Sequence, residues 1–127
     1  MIESSAGRAE QDPAQSAETA GSVLDVGHLS RMTLGDRNLE REVLQLFDQQ
    51  TAMLAERLRG ASATVAASCA HTLKGSARGI GAWELARSAE QVERAVAAGA
   101  PELILVIEGL IGAVDTTRTA IARHLQQ

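Results

Sequence analysis

The sequence predicts an all-α fold: an up-and-down antiparallel four-helix bundle with a short additional N-terminal helix. Three observations carry this expectation. From Asp25 onward, apolar residues recur three or four positions apart, the spacing of one helix face. The chain is 45% apolar but only 2% aromatic, with no Tyr, so Leu, Ile, Val and Ala must fill the core. That mixture is rich in helix formers and poor in strand formers. Finally, no alternating pattern, hairpin turn or internal repeat competes with the helical reading. At 127 residues the chain has the length of one domain with one core.

Residues 1 to 22 come first and differ from the rest. They are rich in Ala, Ser, Glu, Gln and Gly, and hold Glu3, Glu10, Asp12 and Glu18 against Arg8. Such a segment cannot bury enough apolar surface to offset its ordering entropy, which predicts a disordered acidic tail ahead of a helical domain over 23–127. The tail could serve as a tether.

A short first helix is expected over 25–34, with Asp25 as its cap and Val26, Leu29 and Leu34 as its apolar positions. Gly35 breaks the chain and Asp36 restarts it as an N-cap. The next helix, 37–60, sets Leu39, Val43, Leu46, Phe47, Met53, Leu54 and Leu58 mostly on one stripe, with Gly60 near its end. A third runs over 63–78, before Gly79 and Gly81. A fourth covers 82–98, with Trp83, Leu85, Val92 and Val96, and closes at Gly99. Pro101 suits the first turn of a fifth, 101–125, bearing Leu103, Ile107, Leu110, Val114, Ile121 and Leu125.

The third helix carries the chemical signal. With about 100° of rotation per residue, Val65, Ala66, Cys69, Leu73, Ser76 and Ile80 fall together as the buried side. His71, Lys74, Gly75 and Arg78 fall opposite, facing solvent. Lys74 is the only lysine among 12 basic residues, one turn from His71, and offers a mobile point charge to phosphate oxygens. Gly75 should cost roughly 1 kcal/mol relative to Ala within a helix. Side chains lean toward the helix N-terminus, so residue i+4 overlies residue i, and a glycine at 75 clears space over the imidazole. Between Arg57 and Trp83 there is no acidic residue, although Arg57, Arg59, Lys74 and Arg78 are present. This favours an anionic ligand or an acidic partner. An imidazole, with an ordinary pKa near 6.5, is partly neutral and nucleophilic at physiological pH. Its phosphorylated nitrogen is also a good leaving group, and phosphoryl transfer asks mainly for positioning and charge neutralisation.

Other classes are disfavoured. A net charge of -4 argues against nucleic acid as the main partner. The single Cys69 permits no internal disulfide, which fits a cytoplasmic location. The opening Met1-Ile2-Glu3-Ser4-Ser5 lacks the basic and apolar regions of a secretory leader, and Leu103 to Val114 is too short to span a bilayer. His28, read as a helix-start surface residue, and His124, read as a C-terminal dipole partner, have no metal-ligand spacing, so no metal is expected. Cys69 and His71 point to different helix faces, against a Cys-His nucleophile pair. No Gly-rich ATP loop appears, so the chain is expected to be a transfer intermediate and not an enzyme with kinase activity.

The segment Ala70-His71-Thr72-Leu73-Lys74-Gly75-Ser76-Ala77-Arg78-Gly79-Ile80-Gly81-Ala82 resembles the pattern of the histidine-containing phosphotransfer (HPt) domain family, H-x-L-K-G-S-A-x-x-(apolar)-G-A. More weakly, Asp25 to Leu34, Gly35-Asp36 and Leu44 to Phe47 are similar to its first two helices, and Val92-Glu93 to an apolar-Glu pair on the following helix. The resemblance covers about residue 23 to the C-terminus. It implies His71 as phosphoacceptor at Nε2, Lys74 steadying the phosphoryl group, Gly75 leaving room for a docked partner and Glu93 orienting the ring. Arg78 stands where many members have a small residue, which bears on partner preference. The partners implied are response-regulator receiver domains and a hybrid histidine kinase. The Mg²⁺ would reside in the receiver, with no cofactor intrinsic to this chain. A monomer is the default expectation. Two alternatives remain open: a non-catalytic adaptor bundle that binds receivers, and the phosphoacceptor module of a larger histidine kinase.

Overall fold

The computed structural model describes residues 23–127; the expectation of a disordered tail over residues 1–22 falls outside them. Five helices follow in chain order, three of them begun by the capping side chains that the sequence supplies. Asp25 accepts a hydrogen bond from the His28 N–H at 3.0 Å and starts α1 (Val26–Met32). Asp36 does the same with the Leu39 N–H for α2 (Arg37–Leu58), and Ser62 with the Val65 N–H for α3 (Ala63–Ile80). Such caps satisfy amides that have no partner within the helix, and each contributes about 1 kcal/mol. Gly81 ends α3 in the left-handed region at φ 85°, and Gly99 ends α4 (Trp83–Ala98) at φ 60°. The chain closes with α5 (Leu103–Leu125).

Helices α2 to α5 run alternately up and down. Each packs on the next and α5 returns to α2, while α1 lies against α3. The molecule is therefore the four-helix bundle with a short extra N-terminal helix that the periodicity predicts, and the described residues contain no strand. Leu44, Leu58, Leu73, Leu85, Val92, Leu110, Val114 and Ile121 are fully buried, and each such side chain contributes about 1.5–3 kcal/mol. Ala66, Ala70, Ala77 and Ala89 are also buried, and their small size lets α3 and α4 approach closely.

Several expectations shift. The first helix stops at Met32, and Leu34 adopts φ 56° and stands 90% exposed, outside any stripe. Helix α2 ends at Leu58, before the turn at Gly60 (φ 69°). Its buried face is Leu44, Phe47, Thr51, Leu54, Ala55 and Leu58, whereas Leu39, Leu46 and Met53 are exposed. Helix α3 continues through Gly79 to Ile80, because the chain reverses only at Gly81. Ser76 is half-buried and donates to Gln50 Oε1 at 3.1 Å instead of packing in the core. Pro101 lies in the turn before α5, two residues ahead of its first turn.

Two ties fix the α3–α4 turn. The Asp25 N–H donates to the Gly81 carbonyl at 3.0 Å, and Trp83 Nε1 donates to Asp25 Oδ2 at 2.9 Å. His28 is thus more than a surface residue: its Nε2 meets the Gly79 carbonyl at 3.2 Å and its ring stands edge-on to Trp83. A Cβ on Gly81 would lie 2.9 Å from Asp25 Cβ, so only glycine allows this approach. Across the bundle, Arg118 clasps Asp48 through two nitrogens at 2.8 and 3.3 Å, and His124 Nε2 pairs with Glu40 at 2.7 Å.

Candidate functional site

The rotation of α3 is set by its seam of Ala66, Cys69, Ala70, Leu73, Ala77 and Ile80, all buried against neighbouring helices. With those six inward, His71 must face out, and its side chain is 76% exposed. Cys69 is buried on the seam, away from His71. Helix α4 runs alongside with Ala89 and Val92 buried, which places Glu93 at the helix edge beside α3.

Glu93 gathers the site. Its Oε2 lies 2.9 Å from His71 Nδ1, and its Oε1 lies 2.6 Å from Lys74 Nζ as an ion pair without an aligned hydrogen bond. The Lys74 ammonium lies low against α4, its side chain only 19% exposed. Lys74 is the main cause that holds the Glu93 carboxyl below the usual glutamate range. Partial burial opposes it, and the His71 contact adds to it. An ionised carboxylate can only accept, so Nδ1 carries the hydrogen and donates. In the neutral ring the free lone pair then belongs to Nε2, the nitrogen pointing away from Glu93.

Gly75 is exposed, in ordinary helical conformation, and nothing lies within 4 Å of where its Cβ would be; the same space is open at Gly79. Neither backbone conformation nor internal packing requires glycine at these positions. What their absence of side chains provides is a low surface beside the imidazole. Arg78 is 53% exposed and touches neither His71 nor Lys74; its Nη2 is 3.9 Å from Glu90 Oε1. On the far side of α3, an open groove between α2 and α3 is lined by Val43, Leu46, Phe47, Gln50, Ser76 and Ile80.

The structure therefore brings His71, Lys74 and Glu93 into one contact set with Gly75 beside them, and leaves Arg78 outside it. Glu90 was missed from the sequence, although it sits one turn before Glu93 and pairs with Arg94 at i+4, at 3.0 Å. Among the described residues, no three His, Cys, Asp or Glu side chains converge on a metal position, and no helix is long and apolar enough to cross a membrane. Chemically, the set offers an exposed nucleophilic nitrogen, a carboxylate behind the ring and an ammonium within reach of an incoming anion.

The family model of the Hpt domain matches residues 38–120, from the start of α2 through most of α5. No curated protein and no solved structure matches the chain.

Proposed function

The chain belongs to the Hpt domain family, whose members carry phosphoryl groups on histidine in two-component systems, and from that premise we propose that His71 is the carrier here. The observation that bears most weight is the pairing of an exposed Nε2 with an Nδ1–H held by Glu93. In the forward step, Nε2 attacks the phosphorus of a receiver's aspartyl phosphate; the N–P bond forms, the O–P bond breaks and the aspartate leaves as carboxylate. Nδ1 keeps its hydrogen, and Glu93 meets the positive charge that the ring gains. Lys74 turns toward the phosphoryl oxygens. Donation to a second receiver is the reverse, with Mg²⁺ supplied by that partner. Gly75 leaves room for the partner's surface. The chain acts as an intermediate between receiver domains, one of them attached to a hybrid kinase. We take it to work as a cytoplasmic monomer.

Incubation with a phosphorylated receiver domain should place an acid-labile, base-stable phosphate on His71. Absence of transfer, or undiminished transfer to His71→Gln, would overturn the assignment. Receiver binding that survives His71→Ala, with no labelling of the wild type, would select the adaptor reading instead.

A further inference from the structure

Arg78 lies on the His71 face of α3, seven residues or roughly 10 Å along the helix axis, yet the transfer chemistry does not use it. Between the two, Gly75 keeps the ridge low, and Gly79 leaves open space just past Arg78, so the half-exposed Arg78 side chain rises from an otherwise smooth approach. Its partner is poor. Glu90 Oε1 is 3.9 Å away, beyond hydrogen-bond reach, and the other oxygen of Glu90 is held by Arg94 at 3.0 Å. Two guanidinium groups therefore share one carboxylate, and this border of the face carries surplus positive charge. Glu93, by contrast, is matched directly by Lys74.

We propose that Arg78 is a partner-selecting residue: it favours receiver domains that present a carboxylate opposite it, and Glu90 is the internal stand-in which that carboxylate displaces. This rests on the reading that receivers dock over His71. Charge at the rim of an interface acts mainly on encounter rate and on rejection of wrong partners. The pairing is half in solvent, so salt screens it. No bond to phosphorus involves Arg78, and the transfer step itself is as written above.

The test uses the full chain, phosphoramidate as a small phosphodonor, and purified phosphorylated receiver domains from the source organism. For the receivers that the wild type accepts fastest, Arg78→Glu should lower the second-order transfer constant by on the order of tenfold at low ionic strength. Arg78→Ala should lower it less, and Glu90→Gln, which releases Arg78, should raise it. The spread among variants should close at high salt, and the loss should fall on KM more than on kcat. Replacing the opposing receiver carboxylate by lysine should restore transfer to Arg78→Glu. A rate and salt slope equal to wild type in both Arg78→Glu and Glu90→Gln would overturn the proposal. Should Arg78→Glu melt early, Glu90→Gln decides alone, because Arg78 remains in place there. Labelling of wild-type His71 by phosphoramidate together with indifference to Arg78 would sink only the selection role. No labelling of His71 by any donor would sink the carrier reading beneath it.

Discussion

Glu93 and His71 stand 22 residues apart in sequence and 2.9 Å apart in space, joined side chain to side chain across the α3–α4 interface. The same carboxylate reaches Lys74 with its other oxygen. One residue thus sets the ring's tautomer and parks the ammonium, so its removal should affect two properties that can be read separately.

Glu93→Gln should slow transfer to His71 by roughly 10–100-fold, the range expected when a reacting group loses its orientation. Nitrogen NMR should show the His71 ring losing its preference for the Nδ1–H tautomer. An unchanged tautomer with slowed transfer would show that Glu93 acts by charge and not by orientation.

Acid should expose the same contact in stability. Lys74 holds the Glu93 carboxyl low, against the opposing push of burial. A carboxylate depressed in this way contributes fully above its unfolded pKa of about 4.3, and the contribution fades as pH falls through the lower folded value. Wild type and Glu93→Gln should therefore differ in urea stability at neutral pH and converge as both are acidified. A gap that stays constant from pH 7 to well below the carboxylate range would remove the ionic contribution.

Lys74→Ala should slow transfer by about 10–100-fold or shorten the lifetime of the phosphohistidine, as loss of a donor to a charged phosphoryl oxygen does. It should also let the Glu93 carboxyl rise toward its ordinary range, since Lys74 is the largest cause of the shift. Single-turnover transfer and a carboxyl titration by NMR check the two halves.

Gly75→Gln separates access from folding. The position is helical and open, so the substitution should raise helix stability by about 0.5–1 kcal/mol and Tm by roughly 2–5 °C. Transfer from receivers should nevertheless fall to background, because the new side chain stands over the imidazole. A variant that melts higher and transfers normally would show that the glycine is no access device.

Asp25→Ala tests the clamp at the α3–α4 turn. The mutation deletes the α1 cap and the acceptor for Trp83 Nε1, and should cost about 1–3 kcal/mol. Burial pushes the Asp25 carboxyl up, but the hydrogen bonds from Trp83 and His28 outweigh it and leave it lowered. Trp83, the only tryptophan, should report the loss as a red shift in emission.

The helices and the outward face of α3 could be read from spacing, because a helix with one buried seam has only one way to turn. The Asp25 and Asp36 caps were legible from residue type, while the Ser62 cap went unread. Which apolar positions are covered could not. Leu39, Leu46 and Met53 are seven residues apart and so stay in line on α2, beside the buried row of Leu44, Thr51 and Leu58. Periodicity gives the direction of an apolar stripe, while its width depends on how far the neighbouring helices reach. Glu93 was accessible through the resemblance of Val92-Glu93 to a family pair. The Asp25–Trp83, Ser76–Gln50 and Glu40–His124 pairs were not, since they join residues 58, 26 and 84 positions apart. Leu34 illustrates the other failure: an apolar residue just past a helix end looks like its last core position until the backbone turns left-handed.

Gly75 in the body of α3, and Gly79 next to its last residue, give the helix that displays the imidazole an intrinsic handicap of about 1–2 kcal/mol relative to alanine. The seam from Ala66 to Ile80, pressed against the other helices, offsets it together with the Ser62 cap. Cut out as a peptide, this segment would relax to coil and its histidine would lose its neighbours. The site and the fold are thus one equilibrium: whatever loosens the bundle takes Glu93 and Lys74 away from the His71 ring at the same moment.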